Sequence, residues 1–461
     1  MPVSVGFISL GCAKNLVDSE VMMGCLRDAG MIVAVEPDMA DVVVVNTCSF
    51  IDKAKQESIA AILGAARARE RGEAPKNQKL IVAGCLTQRF AAQLPTLLPE
   101  VDAFVGLDQV PDIADLVRRT LQGERPACEA RKNASYIPEY DAPRYRLTPP
   151  HTAYVKIAEG CNHACAYCVI PRIRGRHRSR SQESIVREAR MLIESGVREI
   201  DLIAQDTTFF GMDRWTGPAP GKTSGVDSSR GESLASLIRA IDAIDGDYWL
   251  RVLYTHPAHW SDELIETFAN ARHMARYVDI PLQHISNRML VAMRRKTDGA
   301  FVRNLLDRMR EGIPGLTLRT TFISGFPGET EEDHQELLDF VEEYRFDRAG
   351  VFAYSREEDT LACKMPSQVH HRTKARRVNE VSMLLARIAG EIGESRIGQT
   401  MRVLVDSPGL ARAECDAPDV DGTVHVSPSL PVGQFADVQI EDALAYDLIA
   451  AGAEEGGEIG V

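Results

Sequence analysis

Residues 153–168 read Ala153-Tyr-Val-Lys-Ile-Ala-Glu-Gly160-Cys161-Asn-His-Ala-Cys165-Ala-Tyr-Cys168, an apolar run that ends in a glycine and three cysteines spaced CxxxCxxC. Ala153–Glu159 predicts a strand, which puts all three thiols on the loop at its carboxyl end. Three thiolates can hold three irons of a [4Fe–4S] cluster, and because the usual set is four, a trio leaves one iron open. An open coordination position separates a reactive metal site from a structural one. The other reading is a structural zinc knuckle with a fourth ligand such as His163 or His177; the spacing and the place after a strand favour the cluster.

Working outward, further strands are predicted at Glu199–Ala204, Trp249–Thr255, Tyr277–Gln283, Thr317–Ser324 and Ala349–Tyr354, with helical patterns between them. Six βα units in series predict a partial barrel of parallel strands over residues 147–390, with Arg372–Arg396 as a closing helix. Residues 214–231 are rich in Gly, Pro and Ser and predict a flexible surface loop. Upstream, Val3–Leu10, Asp41–Thr47, Lys79–Ala83 and Val101–Leu107 alternate with helical stretches at Asn15–Ala29 and Lys53–Arg71. That alternation predicts a doubly wound parallel sheet over residues 1–122. Residues 123–146, with Pro126, Pro138 and Pro143, read as a linker. Over residues 391–461 the short runs Met401–Val405, Thr423–Val426 and Phe435–Ile440 predict a small β-barrel. The fold class is α/β.

A second cysteine set lies in the N-terminal domain. Cys12, Cys48 and Cys85 each follow a predicted strand, in GFISLGC, VVVVNTC and LIVAGC. The carboxyl ends of parallel strands share one edge, where ligands bind. Thiols 36 and 37 residues apart in sequence can therefore converge there. Small buried residues at strand ends are the plain alternative, since free cysteine is often buried. A cluster loop downstream favours a second three-thiolate site.

Composition bounds the class. The 461 residues are 44% hydrophobic and 26% charged, an ordinary globular mixture. No apolar run approaches the roughly 18 to 20 residues that cross a bilayer, and MPVSVGFISLGC lacks a signal-peptide start, so a cytoplasmic protein without membrane partners is expected. Ten cysteines are too few for a disulfide scaffold. The net charge of −13 is concentrated at the C-terminus. Residues 397–461 hold two basic residues, Arg402 and Arg412, against twelve acidic ones, a net −10. Acids at Asp416, Asp419, Asp421, Glu441, Asp442, Glu454 and Glu455 repel a polyanion and suit a basic partner.

The CxxxCxxC loop, with Tyr167 before its last cysteine, resembles the signature of the radical S-adenosylmethionine superfamily. That resemblance implies that the open iron binds S-adenosylmethionine and that an electron cleaves it to a 5′-deoxyadenosyl radical. Two trios in this order, followed by a small TRAM-like β-domain, resemble the methylthiotransferase family over nearly the whole chain. Gly11–Glu20, Asn46–Asp52, Gln205–Thr208 and Gly350–Ser355 are similar to the branch that modifies ribosomal protein uS12.

The resemblance implies two [4Fe–4S] clusters, held by Cys12, Cys48 and Cys85 and by Cys161, Cys165 and Cys168. It implies addition of a methylthio group to the β-carbon of an aspartate in uS12. It further implies an external electron donor such as flavodoxin or ferredoxin. The alternatives are a tRNA methylthiotransferase acting on the adenosine beside the anticodon and a non-catalytic iron–sulfur electron carrier; the acidic C-terminus argues against a direct tRNA substrate.

Weaker signals surround the loop. Arg172, Arg174, Arg176, Arg178 and Arg180 alternate and, if extended, share one face; Arg174 is the candidate for the cofactor carboxylate. Gly325 in TFISGFPGET allows close backbone approach. Gln205, Asp206 and Gln283 end barrel strands, where barrel active sites are built. Tyr167, Gln205, Gln283, Gly325 and Arg174 are thus the expected cofactor-binding residues. His256 and His259 read as core or turn histidines.

Overall fold

The computed structural model describes residues 2–130, 134–217 and 226–453. At the N-terminus β1 (Ser4–Ser9), β2 (Ile32–Val33), β3 (Val42–Thr47), β4 (Lys79–Gly84) and β5 (Ala103–Val105) form one parallel sheet in the order β2-β1-β3-β4-β5. Four consecutive valines, Val42 to Val45, are all buried because helices cover both faces of the sheet. Helix α1 (Ala13–Asp28) packs on one face and α2 (Asp52–Glu70) on the other. The order reverses between β1 and β3, so the carboxyl ends of those two strands flank the crevice where such sheets bind ligands. Edge strand β2 has only two residues, too short for periodicity to reveal.

Six parallel strands follow: Thr152–Lys156, Glu199–Ile203, Trp249–Val252, Tyr277–Asp279, Thr317–Ser324 and Arg348–Ala353. They pair in chain order in two sets of three, with a bridge from Leu250 to Met274 near the seam. The result is an open partial barrel, and helix His371–Glu394 packs along its last strand. The C-terminal strands Thr400–Ser407, Leu410–Ala413, Val424–His425, Phe435–Leu444 and Asp447–Ala450 close into a small barrel around Val403, Val405, Val424, Ile440 and Leu448.

The three parts share contacts. Val17, Val21 and Met22 of α1 join Tyr154, Leu253 and Tyr277 of the large barrel and Ala417 of the small one in a single core. This explains why α1 is buried nearly all round. The stretch read as a linker is tied down: Arg144 meets Glu20 at 2.7 Å and Glu188 at 2.9 Å. A Cβ on Gly24 of α1 would lie 2.3 Å from the Pro143 backbone, so only glycine permits this crossing. The tip of the 214–231 loop, residues 218–225, lies outside the described residues. Its near flank is anchored rather than loose, with Trp215 buried against Phe209 and Met212 and its Nε1 donating to the Glu232 carbonyl at 2.8 Å.

The arginine strip does not form. Ile170–Ile173 is a helical turn, and within this stretch only Arg178–Ser179 pairs as strand, with Ala158–Glu159. Arg172 and Arg176 are exposed, while Arg174 and Arg180 are buried against different partners. Alternation gives one face only where a ladder holds the backbone extended.

The acidic C-terminus also differs from expectation. Asp416 pairs with Arg348 at 2.5 Å, Asp421 with Arg319 at 3.3 Å, and Asp419 accepts from the Tyr154 hydroxyl at 3.0 Å. Asp416 and Asp421 are buried against the large barrel, whereas Asp419 stays exposed at its edge. Glu441 and Asp442 are exposed, as is Asp437. Glu454 and Glu455 lie outside the described residues.

Candidate active site

Cys12, Cys48, Cys85 and Cys161 each lie just past the end of a strand, and Cys165 and Cys168 follow on the loop that Cys161 begins. Gly160 has φ +82°, and a Cβ there would lie 2.2 Å from the Arg176 carbonyl, so a glycine must precede Cys161. The loop is pinned by backbone bonds: Cys161 N–H to the Gly175 carbonyl at 3.1 Å and Ala166 N–H to that of Met293 at 2.9 Å. Ala166 and Tyr167 pack beneath it with Met289, Met293 and Phe326. Burial and the neighbouring Cys165 thiol push Cys168 up to about 12. Burial and Asp206 also hold Cys161 well above the usual thiol range. Thiols crowded in this way ionise when a metal takes the place of the proton.

The second trio is built similarly. Cys12 immediately precedes α1 as its N-terminal cap residue, Cys48 follows β3, and Cys85 opens the helix Cys85–Phe90 after β4. Gly11 (φ +98°) passes so close to Cys48 that a Cβ would stand 3.3 Å from its sulfur. Burial raises all three thiols, and the other two in the set raise Cys85, which stands at about 12. For Cys12 the cations Lys14 and Arg174 outweigh burial and lower it. Sequence reading missed Lys14, whose ammonium stands 3.1 Å over the Tyr254 ring beside Cys12.

Among the described residues, one set of three metal-ligating groups has its atoms within 4.8 Å of one another, namely His163, His256 and His259. Neither cysteine trio is that tight, as a single zinc with sulfurs about 2.3 Å away would require. The donor chemistry fits clusters instead. The His163 and His256 rings stack at 3.7 Å and 11°, so their in-plane lone pairs run parallel and do not converge. Asp206 accepts from His163 Nε2 at 2.7 Å, and burial keeps His163 and His256 neutral. These are packed core histidines behind the cluster loop.

The remaining candidates divide. The Gln205 side-chain carbonyl accepts the Gly160 N–H at 2.7 Å, directly behind Cys161. Gln283 (φ +74°), four residues past the strand Tyr277–Asp279, makes an isolated bridge to Phe322. The Gly325 N–H is held by Glu329, itself fixed by Arg377 at 3.1 Å. Arg174, expected at the cofactor, turns to the other trio, with Nη2 3.3 Å from the sulfur of Cys85. A cavity of about 410 Å³ opens beside Cys12 and runs into the large barrel, lined by Tyr254, Asp279, Arg319, Thr321 and Asp419.

Comparison with known proteins agrees with this architecture. Residues 4–106 match the model of uncharacterized protein family UPF0004, residues 155–341 the radical SAM superfamily, and residues 397–452 the TRAM domain. The fold is similar to that of TsrM, a radical S-adenosylmethionine methyltransferase from Kitasatospora setae. The TM-score is 0.54 at 15% identity, over 94% of this chain and 84% of that one. In sequence the chain is 64% identical to the ribosomal protein uS12 methylthiotransferase RimO of Akkermansia muciniphila, over 98% of this chain and 100% of that protein. It is 54% identical to that of Opitutus terrae, over 97% and 96%. No helix among the described residues is long and apolar enough to cross a membrane. With a radical SAM barrel between a helix-covered, cysteine-bearing sheet and a TRAM barrel in the chain, and with identity sustained from end to end, the chain belongs to the ribosomal protein uS12 methylthiotransferase family of radical S-adenosylmethionine enzymes.

Proposed function

We propose that this enzyme adds a methylthio group to the β-carbon of an aspartate in ribosomal protein uS12. Cys161, Cys165 and Cys168 hold one [4Fe–4S] cluster and Cys12, Cys48 and Cys85 the other. The observation that carries the reading is the placing of both trios at strand ends of two domains that share one core, with a cavity running from Cys12 into the large barrel past Tyr254, Asp279 and Thr321. When bound, the clusters and S-adenosylmethionine supply a radical able to open an unactivated C–H bond, together with the transferred sulfur and methyl group.

The chain's own groups place and shield these parts. Gln205 and the Gly160 turn set the radical loop, while Tyr167, Gln283 and Gly325 line the cofactor side of it. Lys14 and Arg174 offset the negative charge that thiolates bring to the auxiliary trio. A reducing donor such as flavodoxin or ferredoxin feeds the clusters, and the working compartment is the cytoplasm. Mass spectrometry of uS12 and of tRNA from cells lacking this gene tests the assignment. Loss of the aspartate modification with intact tRNA is expected; loss of a tRNA methylthio group with intact uS12 would transfer the enzyme to the tRNA-modifying branch.

A further inference from the structure

Four groups from three segments meet in a buried ionic cluster between the two cysteine trios. Arg174 is 2% exposed, Asp18 and Glu159 4% each, and Lys156 1%. Arg174 Nη1 donates to Asp18 at 2.8 Å and to Glu159 at 3.1 Å. Lys156 meets Asp18 at 2.5 Å and Glu159 at 2.8 Å. Two cations and two anions balance, and burial makes each charge felt far more strongly than in water.

A chain of hydrogen bonds leaves this cluster in both directions. On one side Arg174 Nη2 donates to the Cys85 sulfur at 3.3 Å and to Asn15 Oδ1 at 3.2 Å. On the other, Glu159 accepts from the Gln205 amide, whose carbonyl takes the N–H of Gly160, the residue before Cys161. From Cys85 to Gly160 the path runs through three side chains. The two cysteine trios are therefore tied to one buried charge set.

We propose that Arg174, poised by Glu159, is a positioning residue that sets the reduction potential of the auxiliary cluster, and that Glu159 makes the same charge set felt at the radical loop through Gln205. This rests on the ligand assignment above. Hydrogen bonds to cluster sulfurs and the net charge around a cluster are what tune its potential. A donor on Cys85 stabilises the reduced state, in which the sulfurs carry more negative charge, and so raises the potential. A carboxylate behind that donor opposes it. The two residues should then act with opposite signs, which a mere domain clamp would not do.

The test uses the full chain carrying Cys161→Ala, Cys165→Ala and Cys168→Ala, reconstituted anaerobically so that only the auxiliary cluster is present, with its potential read by EPR-monitored titration. Arg174→Met should make the cluster about tenfold harder to reduce, or 59 mV for one electron. Arg174→Lys, which keeps the charge and one donor, should recover most of that shift. Glu159→Gln should move the potential the other way, and in the two-cluster enzyme it should raise the radical cluster's potential too. If Arg174→Met fails to load iron, the lysine and Glu159→Gln variants decide. Unshifted or same-signed potentials would leave Arg174 a domain clamp only and overturn the proposal. A background chain that bound no four-iron cluster would instead refute the ligand assignment.

Discussion

Arg412 of the C-terminal barrel reaches into the floor of the large barrel and meets Glu199 at 2.6 Å, with both side chains buried. Glu199 also holds Arg251 at 2.9 Å, and the Glu414 carbonyl accepts from that same arginine at 2.8 Å. The acidic domain is thus partly neutralised by its own chain. Among the described residues, and besides Asp419 at the seam, what remains for a basic protein partner is the outward group of Asp437, Glu441 and Asp442. Changing these three to Lys in the full chain should slow uS12 association about tenfold at low salt, with a smaller effect at high salt, because rim charges act mainly on the on-rate. Surface plasmon resonance across a salt series reads this. An unchanged on-rate would assign recognition to another surface.

Iron content checks the two-site reading. The reconstituted enzyme should carry about eight irons and the Cys161/Cys165/Cys168→Ala chain about four, with no 5′-deoxyadenosine formed. Cofactor cleavage by that variant would place the radical source elsewhere.

The converse variant separates the roles. Cys12, Cys48 and Cys85 lie in another domain, so replacing them with Ala should leave 5′-deoxyadenosine formation intact and reduce methylthio transfer below detection. Product analysis on uS12 decides, and a normal yield would remove the auxiliary trio from the reaction.

Acid sensitivity should come from buried neutral histidines before the carboxylates contribute. Burial lowers His256 well below its usual range and His284 to about 4. His284 Nδ1 accepts the N–H groups of Ile285 at 2.9 Å and Ser286 at 3.1 Å, contacts that protonation would remove. The folded values lie below the unfolded value of about 6.5, so the unfolded chain takes up protons first. Stability from these rings is present above pH 6.5 and is lost as the pH falls toward the folded values. Each ring costs up to about 1.4 kcal/mol per pH unit in that window. Thermal melts of the enzyme between pH 7 and 5 should show the decline, and His284→Gln should flatten it.

The parts of this molecule that sequence made legible are those with local causes. Strands such as Val42–Thr47 and Thr317–Ser324 announce themselves by β-branched runs, and both trios by position at strand ends. Arg174 did not, because its role depends on Asp18 and Cys85, 156 and 89 residues away. Lys14 was equally hidden, since its partner Tyr254 comes from the large barrel. The burial of Asp416 and Asp421 likewise follows from where one barrel sits on another, which no local pattern encodes.

The small barrel's place beneath the large one limits how substrate choice can evolve. Arg412, Asp416 and Asp421 plug the amino-terminal ends of the large barrel's strands, so that face is answerable to the enzyme's interior and cannot drift with the partner. Only the far side, around Glu441 and Asp442, is free to change. Grafting a foreign TRAM module onto this chain would unseat the floor unless those three residues travelled with it, whereas repainting its outer strands would leave the plug in place.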